Sequence, residues 1–141
     1  MMIRKATMND CDEICRICIE DLGYDCKVEL VKTRLEHLDQ CREMVFVAET
    51  DGIIVGYIHI EKYSLLYFED MGNILGLAVA KKYRQQGYGK ELMQTAEKWA
   101  KAHNINLIRL NSGMGRKGAH MFYRAIGFDN EKEQLTFTKQ L

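Results

Sequence analysis

The segment from residue 73 to 103 constrains the fold of this chain more than any other. It contains a short apolar stretch typical of a strand (74–80), a basic turn with two glycines, and an amphipathic helix from about residue 90. A strand that enters a helix through such a turn leaves the first backbone N–H groups of the helix without acceptors, all directed to one point. The sequence therefore predicts an anion-binding site at this turn.

The residue types in this turn suit a diphosphate. Gly87 and Gly89 can adopt positive φ and let a ligand approach the backbone, and Arg84 and Lys90 add positive charge. Spacing excludes a P-loop, because Lys90 is not followed by Ser or Thr. It also excludes a dinucleotide fingerprint, which needs a third glycine where this chain has Leu92.

Length and charge narrow the class of protein. A chain of 141 residues supports one substantial core, so residues 1–141 are expected to form a single domain. Because 20 basic and 20 acidic side chains cancel, no nucleic-acid partner bound through a general basic surface is expected. The chain lacks the ~20 consecutive apolar residues of a membrane span and an apolar leader, so no membrane partner and a cytoplasmic location are predicted.

The cysteines admit two interpretations. There are five, an odd number that indicates reduced thiols, and Cys11, Cys15 and Cys18 have the spacing of radical-SAM iron–sulfur proteins. A cluster needs a loop that wraps its thiolates around one corner, whereas these three fall on one face of a helix that should begin at Thr7 and end at Gly23. The pattern favours core packing, and no metal is predicted.

Two strands joined by an Asp-Gly turn supply candidates for acid–base chemistry. They are expected at 44–49 and 53–62. One face of the second strand should be polar and aromatic, and it either lines an amine-binding cleft or is a partly solvated sheet face. The apolar segment 63–71 is expected to shape a substrate pocket or to form a homodimer contact. Alternation puts Val55, Tyr57, His59, Glu61 and Tyr63 on the polar face, and Ile54, Ile58 and Ile60 on the other.

Three motifs together resemble one enzyme family. The pattern Arg84-x-x-Gly87-x-Gly89 resembles the acetyl-CoA signature of the GCN5-related N-acetyltransferase (GNAT) family. The segment 119–128, with Ala-x-x-Phe-Tyr followed by Gly-Phe, resembles a second hallmark of these enzymes, and the helix start at 7–10 resembles their N-terminal pattern. The order of the predicted elements agrees over nearly the whole chain.

The resemblance implies an α+β fold. Its centre should be a mixed, mostly antiparallel sheet of six to seven strands, flanked by about four helices. The sheet should splay between the strands at 73–80 and 105–111, which a helix links and which are therefore expected to be parallel. A short helix at 119–125 and a last strand near 135–138 complete the predicted elements.

The resemblance also implies an activity: acetyl-CoA-dependent transfer of an acetyl group to a primary amine of a small molecule or peptide, by direct attack in a ternary complex. The pantetheine arm of acetyl-CoA should pair with Leu77, Ala78 and Val79. Tyr123 should lie near the CoA sulfur and protonate the departing thiolate. The remaining contacts to CoA phosphates are expected from Arg84, Gln85, Gln86, Gly87, Tyr88, Gly89, Lys90 and Arg116.

Two departures from the family pattern leave the site incomplete. Arg116 stands where many members have Asn, and the strand at 73–80 lacks the carboxylate that often draws the proton from the amine. Glu61 is therefore the first candidate for the base and His59 the second. The missing carboxylate keeps a non-catalytic acyl-CoA-binding sensor open as the alternative. The acceptor stays open among aminoglycosides, polyamines, small metabolites and peptide amines.

Overall fold

A computed structural model describes residues 1–141, which divide into two compact units, Met1–Leu110 and Asn111–Leu141. The expectation of a single domain stays a prediction. The strands are β1 (Met2–Lys5), β2 (Glu43–Thr50), β3 (Ile53–Leu65), β4 (Phe68–Val79) and β5 (Ile108–Leu110). The helices are α1 (Cys11–Leu22), α2 (Val28–Glu36), α3 (Tyr88–Ala102) and α4 (Lys117–Ala125).

The sheet of the first unit has the order β1-β2-β3-β4-β5. All neighbouring strands are antiparallel except β4 and β5, which are parallel, so the predicted mixed sheet is confirmed. The predicted count of six to seven strands is wrong, because the sheet has five. The strand expected near 135–138 does not form, and Leu135 and Phe137 are 82% and 86% exposed. Apolar alternation alone does not provide a strand with a hydrogen-bonded partner.

Local signals set both ends of the first helix. The carboxylate of Asp10 accepts a hydrogen bond from the Thr7 amide at 2.7 Å and one from Arg4 Nη1 at 2.9 Å, so the predicted capping box is present. A single 3₁₀ turn at Met8–Asp10 precedes α1. Gly23 ends the helix in the left-handed conformation, with φ of 74°.

Helices α1 and α2 cover one face of the sheet, and α3 covers the other. Cys11 and Cys15 are buried in α1 as core packing requires, and Ile17 beside them has no exposed surface. On the opposite face a Cβ added at Gly56 would lie 3.3 Å from the side chain of Leu92 in α3. The core under α1 and α2 consists of Ile14, Ile17, Val45, Val47, Ile54, Tyr57 and Ala78.

A register shift between β2 and β3 departs from simple alternation. Ala48 pairs with Gly56 and Glu49 with Ile54, so Val55 is an extra residue in β3. Ile54 therefore joins the core beside Tyr57, and its predicted place with Ile58 is wrong. The segment 63–71, expected as a separate apolar element, instead forms the ends of β3 and β4, with Leu66 and Tyr67 exposed at the turn between them.

Candidate functional site

The turn before α3 has the backbone geometry of an anion site. Gly87 is the N-terminal capping residue of α3 with φ of 91°, and Gln85 also has positive φ, 62°. A Cβ at Gly87 would meet no atom within 4 Å, so the backbone there is open to a ligand. Gly89 lies inside α3 and does not adopt positive φ, so only one of the two glycines is needed for the turn.

Backbone amides at the start of α3 are free to bind an anion. The first hydrogen bond of the helix joins the amide of Glu91 to the carbonyl of Gly87 at 3.0 Å. The amides of Tyr88, Gly89 and Lys90 precede this bond and have no acceptor within the helix. The ring of Tyr88 is buried, which leaves its amide as the group available to a ligand. This end of α3 suits a phosphate by geometry and dipole.

Arg84 holds the turn in place. Its Nε donates to the carbonyl of Val79 at 2.9 Å, and its Nη2 lies 3.3 Å from Oδ1 of Asp21 in α1. The same carboxylate oxygen accepts the amide hydrogen bond of Lys81 at 3.0 Å. Arg84 thus contacts the protein itself, whereas the sequence indicated only a source of charge for the ligand.

One edge of β4 is open next to this turn. Strand β5 pairs only with Gly72–Ile74, and no strand pairs with residues 75–79 on that edge. The amide of Ala80 donates to Val55 in β3 at 2.8 Å, so by alternation the amides of Leu77 and Val79 point to the open edge. Because β5 ends at Leu110 opposite Ile74, this part of β4 has no partner strand on that edge, and the splay between the two strands stays a prediction.

A bulge marks the point where β4 leaves β5. His59 pairs with Gly76 and Ile60 pairs with Ile74, so Leu75 has no partner in β3. An extra residue bends a strand and increases its twist. The bulge comes directly after the last residue of β4 that pairs with β5, Ile74, and half of the surface of Leu75 is exposed.

A cavity of about 700 Å³ lies between α2 and the face of the sheet that carries His59. On its wall His59 Nε2 lies 2.7 Å from Oε1 of Glu43 on the neighbouring strand. The polar face of β3 thus borders a cavity at His59, and its role as an amine-binding cleft stays a prediction. The cavity is lined by Thr33, Arg34, His37, Glu43, His59 and Leu75.

Glu61 has a different setting from His59. Its carboxylate accepts a hydrogen bond from Nδ2 of Asn73 at 2.7 Å, and Oδ1 of Asn73 accepts one from Arg109 at 2.6 Å. These three residues are opposite each other in β3, β4 and β5, and the guanidinium of Arg109 also lies 4.8 Å from the ring centre of Tyr63. Glu61 does not line the cavity, and its carboxylate is already hydrogen-bonded.

The second unit holds Tyr123 and Arg116. Tyr123 lies in α4 with its ring edge-on to Phe128 at 5.6 Å between centres. Burial raises the pKa of the Tyr123 hydroxyl, while the charge of Arg116 works in the other direction. The hydroxyl is therefore a proton donor at neutral pH. Arg116 immediately precedes α4, which begins at Lys117 instead of the predicted residue 119.

Several cavity residues were absent from the sequence-based predictions. Glu43 shares the face of His59 by simple alternation along β2 and β3, so the strand pattern contained a signal for it. No comparable signal exists for Arg34 and His37, because only tertiary packing brings α2 to this part of the sheet. Leu75 lines the cavity at the bulge, for which Gly76, the next residue, is a weak sequence signal.

These features define a class of protein. A short parallel strand pair, an open strand edge beyond it, a helix start with free amides and a cavity at the sheet suit an enzyme that binds an acyl-CoA and an acceptor. The comparison with protein families agrees: residues 11–128 match the model of the Acetyltransferase (GNAT) family. The chain belongs to this family and is an N-acetyltransferase, whose family uses acetyl-CoA.

Known proteins resemble the chain over most of its length. It is 30% identical to the N-alpha-acetyltransferase of Sulfurisphaera tokodaii, over 92% of this chain and 81% of that protein. It is 28% identical to the aminoalkylphosphonate N-acetyltransferase of Salmonella typhimurium, over 99% and 90%. A transcriptional regulator from Bacillus halodurans has a similar structure, with a TM-score of 0.86, 26% identity, and coverage of 98% and 99%. No helix of the chain is long and apolar enough to cross a membrane.

Proposed function

We propose that this chain transfers the acetyl group of acetyl-CoA directly to a primary amine held in the cavity beside β4, without a covalent enzyme intermediate. One observation carries the proposal. The open edge of β4, with the amides of Leu77 and Val79, directly follows Gly76, which pairs with His59 on the cavity wall, and it is followed along the chain by the helix start at Gly87. Acetyl-CoA supplies the acetyl thioester. The cavity at His59 and the open edge of β4 therefore belong to one site.

The cofactor contacts follow from the free backbone groups. The amides from Gln85 to Lys90 would hold the diphosphate, since they stand at a helix start with a local excess of positive charge. The amides of Leu77 and Val79 would pair with the pantetheine arm as an added strand does. The Val79 amide is also the candidate for polarising the thioester carbonyl.

His59 is the preferred base, ahead of Glu61. An amine must lose a proton to attack, and His59 lines the cavity whereas the carboxylate of Glu61 is bound to Asn73. When His59 Nε2–H donates to Glu43, the lone pair of Nδ1 is left to accept the proton of the amine, directly or through water. Glu43 would fix this tautomer.

Tyr123 is proposed as the acid that protonates the departing CoA thiolate. Two facts support this role: the match of 119–128 to the family pattern and the protonated state that its burial favours at neutral pH. His59 takes up the proton that the ammonium loses before attack and passes it to solvent. The second proton, lost by the amine nitrogen after attack, returns through solvent to the Tyr123 oxygen that has protonated the thiolate, so each turnover releases one proton.

Acetyl transfer can be tested directly. The purified chain is incubated with acetyl-CoA and a panel of amines while a thiol-detecting reagent follows CoA release and mass spectrometry follows the acetylated amine. We expect both products in equal amounts with a good acceptor. CoA binding without any amine product across the panel would instead favour the non-catalytic sensor.

The fold and the family do not determine which amine is acetylated. The names of two relatives point to different amines, an alpha-amino group in one and an aminoalkylphosphonate in the other. At 30% and 28% identity, neither name determines the acceptor of this chain. The lining of the cavity itself is a more direct guide.

A further inference from the structure

We infer that the cavity beside β4 selects amines that also carry an anionic group, a carboxylate or a phosphonate, and that Arg34 binds this group. The inference rests on the proposed function, because it assigns a substrate class to the same site. It starts from the arrangement of charge on the cavity wall, where Arg34 stands in α2, His37 directly follows that helix, and Glu43 and His59 stand on the sheet.

The cavity is a poor site for a polycation. Glu43 is its one acidic lining residue, and the carboxylate is already bound to His59 at 2.7 Å. Arg34 contributes a permanent positive charge on the opposite wall. An amine with several positive charges would meet no free carboxylate, and it would be repelled by Arg34.

Arg34 has no partner within the protein. It takes part in none of the ion pairs of the structure and donates no side-chain hydrogen bond, whereas other arginines such as Arg4, Arg16 and Arg84 are paired. A cation in the last turn of a helix is favourable for the helix dipole, which accounts for the sign of the charge. Because Arg34 lines the cavity, the five N–H donors of its guanidinium are available to bind a carboxylate or a phosphonate.

His37 can assist Arg34. Its Nδ1–H donates to the carbonyl of Thr33 at 3.0 Å, which fixes the ring on the same helix. Its Nε2 is left without a protein partner and becomes a second donor when the ring is protonated. The neighbouring Thr33 hydroxyl donates to the Glu29 carbonyl and is not available as a donor.

The two walls of the cavity thus have different roles. The sheet wall, with His59 and Glu43, binds the amine, and the wall at α2, with Arg34 and His37, binds the acidic group. A cavity of about 700 Å³ is within the range of small-molecule sites, so it accommodates a compact amino acid or aminophosphonate.

The experiment compares amines that differ in charge. CoA release is measured for β-alanine, 2-aminoethylphosphonate, ethanolamine and spermidine with wild-type enzyme and two variants on α2. Arg34→Gln removes the charge on the cavity wall, and Lys32→Gln removes a charge two residues away that does not line the cavity. Comparison of β-alanine with 2-aminoethylphosphonate shows whether a carboxylate or a phosphonate is preferred.

We expect kcat/KM for at least one anionic amine to exceed that for ethanolamine and spermidine by roughly tenfold or more, the usual effect of a charged hydrogen bond. Arg34→Gln should lower this value by roughly 10- to 100-fold, mainly through KM, and leave ethanolamine within about twofold. Lys32→Gln should change neither. Equal use of all four amines, preference for spermidine, or an equal loss for all amines in Arg34→Gln would overturn the inference.

A binding measurement separates this inference from the proposed function. If no amine is acetylated, the anionic amines are titrated by calorimetry into protein saturated with CoA. Binding that is lost in Arg34→Gln and kept in Lys32→Gln supports the anion site while the proposed acetyl transfer fails. Absence of binding in the wild type overturns the anion site. Circular dichroism of Arg34→Gln confirms that the exposed substitution leaves the fold intact.

Discussion

His59 and Glu43 are hydrogen-bonded across neighbouring strands, with Nε2 of the imidazole 2.7 Å from Oε1 of the carboxylate. If His59 is the base, His59→Gln should lower kcat by ~10²-fold or more, the usual contribution of a general base. Glu43→Gln keeps a hydrogen-bond acceptor but removes the charge, so its loss should be smaller. Steady-state kinetics of CoA release with the best amine measures both.

Glu61→Gln distinguishes the two candidate bases, His59 and Glu61. The carboxylate of Glu61 is bound to Asn73 and lies outside the lining of the cavity, so Glu61→Gln should lower turnover less than His59→Gln does. A larger loss in Glu61→Gln than in His59→Gln would identify Glu61 as the base and assign His59 to amine binding.

The features of the fold that depend only on residues adjacent in the sequence could be predicted. The capping box at Thr7 and Asp10, the helix end at Gly23 and the turn at Gly87 are each determined by a few adjacent residue types. The segment at 135–138 has the alternation of a strand, but whether a strand forms depends on a partner elsewhere in the chain. This is why the strand count was wrong.

The candidate site was predictable only in part for the same reason. The anion turn follows from local pattern, whereas the contacts of His59 and Glu61 depend on cross-strand register. Bulges at Val55 and Leu75 each shift that register by one residue, and the glycine that follows each of them is compatible with a bulge but does not specify it. Asn73 links Glu61 to Arg109 only because three strands align at this row.

Substitution of Gly87 tests the anion turn. Gly87→Glu should abolish CoA binding measured by calorimetry, because it places a negative charge at the proposed diphosphate site. The structure offers a matched control in Gly52, which also has positive φ, 75°, and open space around an added Cβ, but lies in the β2–β3 turn. Gly52→Glu introduces the same strain and charge and should leave CoA binding intact.

The backbone strain of both glycine variants is similar, roughly 1–2 kcal/mol for a non-glycine residue in this conformation. Gly87→Asn, which tolerates positive φ and adds no charge, should therefore bind CoA more tightly than Gly87→Glu. Tight CoA binding by Gly87→Glu would contradict the placement of the diphosphate at this turn.

Tyr123→Phe tests the proposed acid. It removes the hydroxyl and keeps the ring that packs against Phe128, so the fold of α4 should be retained. Turnover should fall by ~10²-fold or less, with CoA affinity unchanged by calorimetry. Since burial raises the pKa of Tyr123, the wild-type hydroxyl stays protonated at neutral pH. Unchanged turnover with a good amine would remove Tyr123 from the catalytic role.

Tyr57 should make the protein sensitive to alkaline pH. Its ring is buried under α1, and its hydroxyl lies 3.3 Å from Sγ of Cys18. Burial, followed by the contact with Cys18, raises the pKa of Tyr57 well above its ordinary range, and burial raises the pKa of Cys26 to about 12. Both groups hold their protons more tightly in the folded state, so their stabilisation is complete at low pH and is lost as pH rises above the unfolded values.

Thermal unfolding between pH 8 and pH 11, with reductant present, separates the two groups. The free energy of unfolding should begin to fall near pH ~9, where unfolded thiols lose protons, in both wild type and Tyr57→Phe. Above pH ~10 only the wild type should fall more steeply, by up to about 1.4 kcal/mol per pH unit for one proton. Tyr67→Phe, at the exposed β3–β4 turn, should follow the wild type. If Tyr57→Phe keeps the wild-type slope above pH ~10, Tyr57 is not the group that titrates on unfolding.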